Sequence, residues 1–299
     1  MTSLLHDPPR EPGAGALSAP PPGVPLAAAL RAHWPEYAIE GAALGAFMVS
    51  ALVFTVLLEW PGSALHAALP DAALRRALVG VAMGATAIGL VYSPWGQRSG
   101  AHMNPALTLT FLRLGKIEPA VALFYVLAQV AGGALGVALA AAALDSMLPG
   151  AVSHPSVRFA VTVPGPAGIA AAFAAEAAIA FGLVAVVLEV SNRPRIARAT
   201  GLCCGALVAA YITFEAPLSG MSMNPARTLA SAFSAGVYDA IWLYFAAPLL
   251  GMLAAAELHL RRRRAPRVRC AKLDHSPRRP CPFRCGWHDF DPSNPEERP

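Results

Sequence analysis

Two windows of this chain, 120 residues apart, repeat one phrase: residues 99–110 read SGAHMNPALTLT and residues 219–230 read SGMSMNPARTLA. Each copy has the chemistry of a helix start. Asn is a favoured N-cap, Pro fits the first helical position, and Ala and Leu propagate a helix. A helix start leaves amide groups unpaired and ordinarily meets water. Here both starts lie in a chain built for lipid, and that conflict limits the folds open to it. Six apolar runs, at about 38–59, 73–95, 118–146, 166–190, 197–216 and 238–260, each have about the length needed to cross a bilayer core. The stretches opened by Asn104 and Asn224 are about ten residues long, and at ~1.5 Å per residue they reach only about halfway. A backbone break exposed to lipid is forbidden, so these half-spans must be buried in protein or line water.

Composition agrees. Of 299 residues, 56% are hydrophobic and 14% charged, too few charges for a soluble surface, and the chain reads as a multi-pass membrane protein. The net charge of +5 says little about partners, because residues 261–299 alone carry eleven Lys/Arg against five Asp/Glu. The body is close to neutral, and a nucleic-acid partner is not expected. The five cysteines divide into Cys203 and Cys204 inside an apolar run and Cys270, Cys281 and Cys285 near the C-terminus, which is no secreted disulfide framework. Residues 1–35 read as a disordered Pro-rich leader without a signal peptide. Residues 36–260 read as the membrane domain, with repeats at about 36–146 and 166–260, and residues 261–299 as a basic Cys/His-containing tail.

Charge sets the expected topology. Arg98, Arg113 and Lys116, then Arg193, Arg195 and Arg198, then Arg261 to Arg264 fall on one side, while the opposite loops hold Arg75, Arg76 and Arg158. The positive-inside rule places the first set and both termini in the cytoplasm, with the protein in the plasma (inner) membrane. One half-span then enters from each side, which makes an inverted repeat. Glu40 in the first span and Glu176 in the fourth occupy equivalent places. A membrane carboxylate must find partners, and the irregular backbone leading into a half-helix offers them, so both read as structural. Gly41 and Gly45, Gly80 and Gly84, Gly132 and Gly136, and Gly201 and Gly205 form GxxxG pairs suited to close helix packing.

The boxes Asn104-Pro105-Ala106 and Asn224-Pro225-Ala226, the second followed at once by Arg227, with six spans and glutamates in spans one and four, resemble the aquaporin or major intrinsic protein family. The resemblance covers about residues 36–260. It implies an all-α right-handed bundle of six transmembrane helices plus two re-entrant half-helices, meeting end to end at mid-membrane, and a homotetramer with one pore per subunit. Arg227 resembles the family's filter arginine, and the family's spacing puts the other filter positions at Met83, Ile212 and Met221. Strict water channels of the family usually oppose the arginine with an aromatic and a histidine, and glycerol facilitators with two aromatics. This chain has neither. His102 resembles a position lining the cytoplasmic vestibule, and a neutral structural imidazole is the other reading.

These residues lead to a passive channel for water or small uncharged solutes, set in lipid. The facing positive ends of two half-helices and one filter arginine would exclude protons and ions. A glycerol-type or other neutral-solute facilitator is an alternative, as is a secondary transporter, which would place ion-coordinating groups at the midplane. No nucleophile, base and orienter occur together, so an enzyme is not expected, nor a cofactor for the pore. The tail is separate. Cys270, His275, Cys281, Cys285 and His288 lie within CAKLDHSPRRPCPFRCGWH, a stretch that could bind zinc or act as a redox element, although the spacing fits no standard finger. A disordered basic tail drawn to anionic headgroups is the other reading.

Overall fold

Ala and Leu dominate residues 26–34, and this strong helix-forming stretch carries the first helix, α1 (Leu26–Glu59), well beyond the expected first span. The structure, a computed structural model, describes residues 23–262, 265–276 and 279–287. The reading of residues 1–35 as a disordered leader is therefore corrected from Leu26 onward, while residues 1–22 lie outside the described part. Pro35 lies inside this helix. A kink at His33 (φ −128°, ψ 17°) absorbs it, because proline removes one hydrogen bond and crowds the preceding turn.

The chain continues through α2 (Ala64–Ala68), α3 (Ala72–Tyr92), α4 (Pro94–Ser99), α5 (Pro105–Arg113) and α6 (Pro119–Met147). The second half holds α7 (Gly168–Ser191), α8 (Thr200–Phe214), α9 (Ala216–Ser219), α10 (Pro225–Ala235) and α11 (Leu243–Arg261). Among the described residues, α1, α3, α6, α7, α8 with its preceding turn, and α11 are long and apolar enough to cross a membrane. The half-helices are α5, of nine residues, and α10, of eleven. The sixth span starts at Leu243 rather than 238, because residues 238–242 close tight turns, with Ile241 N–H on the Tyr238 carbonyl and Leu243 N–H on that of Ala240.

Packing repeats with the sequence. In the first half α1 lies along α6, in the second α7 lies along α11, and α3 against α8 joins the halves. Each half-helix packs on the last span of the other half, α10 on α6 and α5 on α11. The paired glycines sit where backbones touch. A Cβ on Gly41 would come within 2.8 Å of the Ala128 carbonyl oxygen, one on Gly45 within 2.9 Å of that of Gly132, and one on Gly80 within 2.6 Å of that of Ala209. Small residues allow this approach between helices that gain little from excluding water.

Candidate functional site

Each half-helix begins at an extended asparagine. The Asn104 Oδ1 accepts from Ala106 N–H at 2.9 Å, and the Asn224 Oδ1 accepts from Ala226 and Arg227 N–H at 3.1 and 3.2 Å. Both are capping bonds that settle orphan amides of the first turn. Pro105 and Pro225 occupy the first helical positions. The Asn side-chain amides then cross over. Asn104 Nδ2 donates to the Met223 carbonyl at 2.8 Å, and Asn224 Nδ2 donates to the Met103 carbonyl at 2.6 Å. The two N-termini therefore meet, and each amide keeps a second N–H beyond this clasp.

The loops leading to the caps share an unusual backbone. Ala101, Met103, Met221 and Met223 all have φ between 48° and 55°, which costs a non-glycine residue of order 1–3 kcal/mol each. Two buried carboxylates hold this shape. Glu40 accepts from Ser99 Oγ (2.7 Å), His102 N–H (3.0 Å), Met103 N–H (2.7 Å) and Gln129 Nε2 (2.9 Å). Glu176 accepts from Ser219 Oγ, Ser222 N–H and Met223 N–H, all at 2.7 Å. Tyrosine hydroxyls complete the pattern, Tyr125 donating to the Ser99 carbonyl at 2.7 Å and Tyr244 to the Ser219 carbonyl at 2.5 Å.

One cavity of about 510 Å³ threads this arrangement. Along α3 it extends from Ala72 to Val91, and it is lined by Asn104, Asn224, Met83, Ile212, Met221, Arg227 and His102. The structure thus places the four expected filter residues, the two box asparagines and His102 around a single lumen, while Pro105, Ala106, Pro225 and Ala226 do not line it. Ala106 and Ala226 are fully buried behind it, in the first turns of the half-helices. The Arg227 Nη1 is buried and, among the described residues, has no hydrogen-bond partner. Ser50 Oγ reaches the Met83 sulfur at 3.7 Å, which ties that side chain to α1. Among the loop carbonyls, those of Met103 and Met223 accept the asparagine amides, and that of Gly100 accepts Leu273 N–H.

Several participants escaped the sequence reading: Ser99, Ser219, Thr108, Thr228, Tyr125, Tyr244 and Gln129. The repeated phrase carried a signal for four of them, since Ser and Thr recur at the same positions of both windows. Thr228 Oγ1 bonds Ser222 Oγ at 2.6 Å and Thr162 Oγ1 at 2.8 Å, while Thr108 Oγ1 meets His102 Nδ1 at 3.1 Å. His102 lines the lumen with both ring nitrogens engaged. Its Nε2 lies 2.7 Å from the Ala271 carbonyl, which can only accept, so the ring proton sits there.

Ala271 belongs to the tail, which packs on the bundle instead of hanging free. Val268 to Asp274 are all buried. Arg269 N–H donates to Asn192 Oδ1 at 2.7 Å, Arg284 N–H to the Lys116 carbonyl at 3.0 Å, and Phe283 stacks on His102 with ring centroids 5.4 Å apart. The ligand atoms of Cys270, His275, Cys281 and Cys285 lie within 4.8 Å of one another. Hydrogen bonding to the Cys270 thiol pulls the Cys281 and Cys285 thiols below the usual cysteine range and pushes Cys270 up. His288, the fifth expected donor, lies outside the described residues.

The family model described as major intrinsic protein matches residues 36–259. Aquaporin NIP1-3 of Oryza sativa subsp. japonica is 40% identical over 177 residues, 59% of this chain and 58% of that protein. Aquaporin NIP6-1 of Arabidopsis thaliana is 36% identical over 206 residues, 68% of this chain and 64% of that protein. The chain thus spans less than two thirds of either relative. The aquaglyceroporin of Plasmodium falciparum shares the fold, with a TM-score of 0.64 over 77% of this chain and 96% of that one, at 18% identity. With its paired Asn-Pro-Ala half-helices and a family match over most of its length, the chain belongs to the major intrinsic protein family.

Proposed function

We propose that the chain is a passive transmembrane pore for water and other small uncharged solutes, and not an enzyme or a coupled transporter. The observation that carries this reading is the Arg227 Nη1, buried and, among the described residues, without a hydrogen-bond partner, beside a lumen that also passes both asparagine caps. A buried guanidinium N–H without a partner is costly, and a permeating oxygen atom is the acceptor that offsets it. The asparagines supply further donors at mid-membrane. The two facing helix N-termini add positive potential there, which opposes cations and turns each passing water so that a proton wire is broken. The relatives' names as aquaporins support the same class.

Met83, Ile212 and Met221 give the filter an apolar wall opposite Arg227, so it admits at least one solute besides water. The Arg-rich loops between α7 and α8 and after α11 put the tail side in the cytoplasm by the positive-inside rule, and four chains assemble as in the family at large. Purified protein in liposomes tests the reading by stopped-flow light scattering. Fast osmotic shrinkage with an imposed pH gradient left intact is expected once any metal held by the tail's Cys/His cluster is removed with a chelator. Shrinkage no faster than in protein-free vesicles both with and without chelator, or solute accumulation driven by a proton or sodium gradient, would overturn it.

A further inference from the structure

After α11 the chain doubles back across one end of the bundle, where it bonds to α4, to the turn between α5 and α6, and to Asn192 at the end of α7. Leu273 N–H donates to the Gly100 carbonyl at 3.2 Å, and Gln97 Nε2 donates to Asp274 Oδ2 at 2.8 Å. Arg284 Nε donates to Glu118 Oε1 at 2.7 Å. Leu273 lines the same cavity as Asn104 and Asn224, so the tail contributes a side chain to the wall of the lumen at that mouth. Ala271 and Lys272 beside it are buried as completely as the core of the bundle.

The tail has few means of holding this shape alone. No helix or strand occurs among its described residues after Arg261, and its buried apolar side chains are few, Val268, Leu273 and Phe283 chief among them. A segment this short cannot build a sufficient core, and such pieces are ordinarily stapled by disulfides or metal. At its centre Cys270 Sγ lies 3.5 Å from Cys281 Sγ, and Cys285 Sγ lies 3.1 Å from His275 Nε2. A tetrahedral zinc site with three thiolates and one imidazole has ligand-to-ligand edges of about 3.5–3.8 Å. Here two pairs stand at 3.5 and 3.1 Å and all four donors lie within 4.8 Å of one another, a spread that small side-chain shifts would bring to that geometry. A disulfide needs sulfurs about 2.05 Å apart, would use only two of the three cysteines, and gives no reason for His275 to converge with them.

We propose that Cys270, Cys281 and Cys285 as thiolates and His275 through Nε2 bind one Zn²⁺ ion, which holds residues 265–276 and 279–287 as a cap over the tail-side mouth of the pore. Closure then depends on metal: the ion fixes the cap, the cap seats Leu273 in the lumen, and removing the ion releases both. The binding site stands on the tail's own geometry, while its effect on flow rests on the pore reading above.

Full-length protein purified without chelator should contain one zinc per chain by mass spectrometry of the metal. Loaded with Co²⁺ instead, it should show thiolate-to-cobalt charge transfer, lost in Cys281→Ser and kept in Cys203→Ser. In liposomes, a membrane-permeant chelator should raise osmotic shrinkage several-fold and added Zn²⁺ should reverse it. Leu273→Ala should be fast from the start while keeping its metal. Absence of zinc with no thiolate signal from Co²⁺, or a disulfide between any two of the three cysteines in intact-mass analysis, overturns the site. Bound zinc with chelator-insensitive flow, in vesicles that shrink faster than protein-free ones, overturns the cap. No flow in either state overturns the pore reading and the cap with it, while the metal content still decides the site.

Discussion

Glu40 in α1 and Glu176 in α7 perform the same task on two loops 120 residues apart in sequence: each accepts a serine hydroxyl and two successive backbone N–H groups from the turn that precedes a half-helix. A glutamine in either place has the same shape but turns an amide NH₂ toward donors. Each stranded buried donor costs about 1–3 kcal/mol. Glu40→Gln and Glu176→Gln should therefore both lower the melting temperature in detergent and the yield of monodisperse protein. Wild-type melting in either variant would show that the loop is held by other contacts.

Arg227→Ala removes the Nη1 donor and widens the lumen at one level. Glycerol flux should rise several-fold relative to water flux, and exclusion of small ions should weaken, in protein that elutes as the wild type does. Unchanged selectivity in such a folded variant would remove Arg227 from the filter.

Ile212 faces the lumen without a polar atom. Ile212→His adds a donor and bulk, and should shift permeation toward water, because a second hydrogen-bonding wall favours a small hydrated permeant and resists larger ones. Parallel stopped-flow traces with sucrose and glycerol gradients read the ratio. Should the wild type pass water alone and the variant alter only the total flow, Met83 and Met221 set the aperture sterically.

Helix contacts give a sharper contrast. Gly45→Ala forces a Cβ to 2.9 Å from the Gly132 carbonyl oxygen, whereas Gly89→Ala meets nothing within 4 Å. Overpacking costs about 1–3 kcal/mol, and an open helical site gains up to about 1 kcal/mol from alanine. Thermal melts should rank Gly89→Ala at or above wild type and Gly45→Ala clearly below. Equal melting of the two would mean that α1 and α6 can separate without loss.

The tail can be probed without reference to metal. Phe283 stacks on His102 and lies 5.7 Å from the Tyr125 ring, with Lys272 and Arg269 buried nearby. Phe283→Ala should expose trypsin sites at Arg269 and Lys272, read as faster loss of the C-terminal fragment by mass spectrometry. Cleavage as slow as in the wild type would place the tail's anchorage elsewhere.

The half-helices were legible in the sequence because their signal is local: a cap, a proline and a helix former, written twice. The six spans followed from composition at membrane length. The start of α1 was not legible, since Pro35 lies inside that helix and only the kink at His33 accommodates it. The tail was legible only as chemistry. Its donors have no standard spacing, and its place depends on partners far away in sequence, such as Gly100, His102 and Asn192. The residues that shape the loops, such as Tyr125 and Gln129, are polar groups on apolar helices whose targets appear only when the halves pack.

The exchange of amides between Asn104 and Asn224 bears on how such a chain can be assembled and altered. Each half supplies the acceptor that the other half's asparagine needs, so neither half is complete by itself. A fragment ending before α7 would leave the Asn104 amide and the Met103 carbonyl facing one another's absent partners in a medium that offers none. The polar centre can therefore close only after both halves are inserted, as a late step of folding, and a backbone shift in one loop must be answered in the other. What looks like two copies of a motif is, in energetic terms, one site divided between two places in the chain.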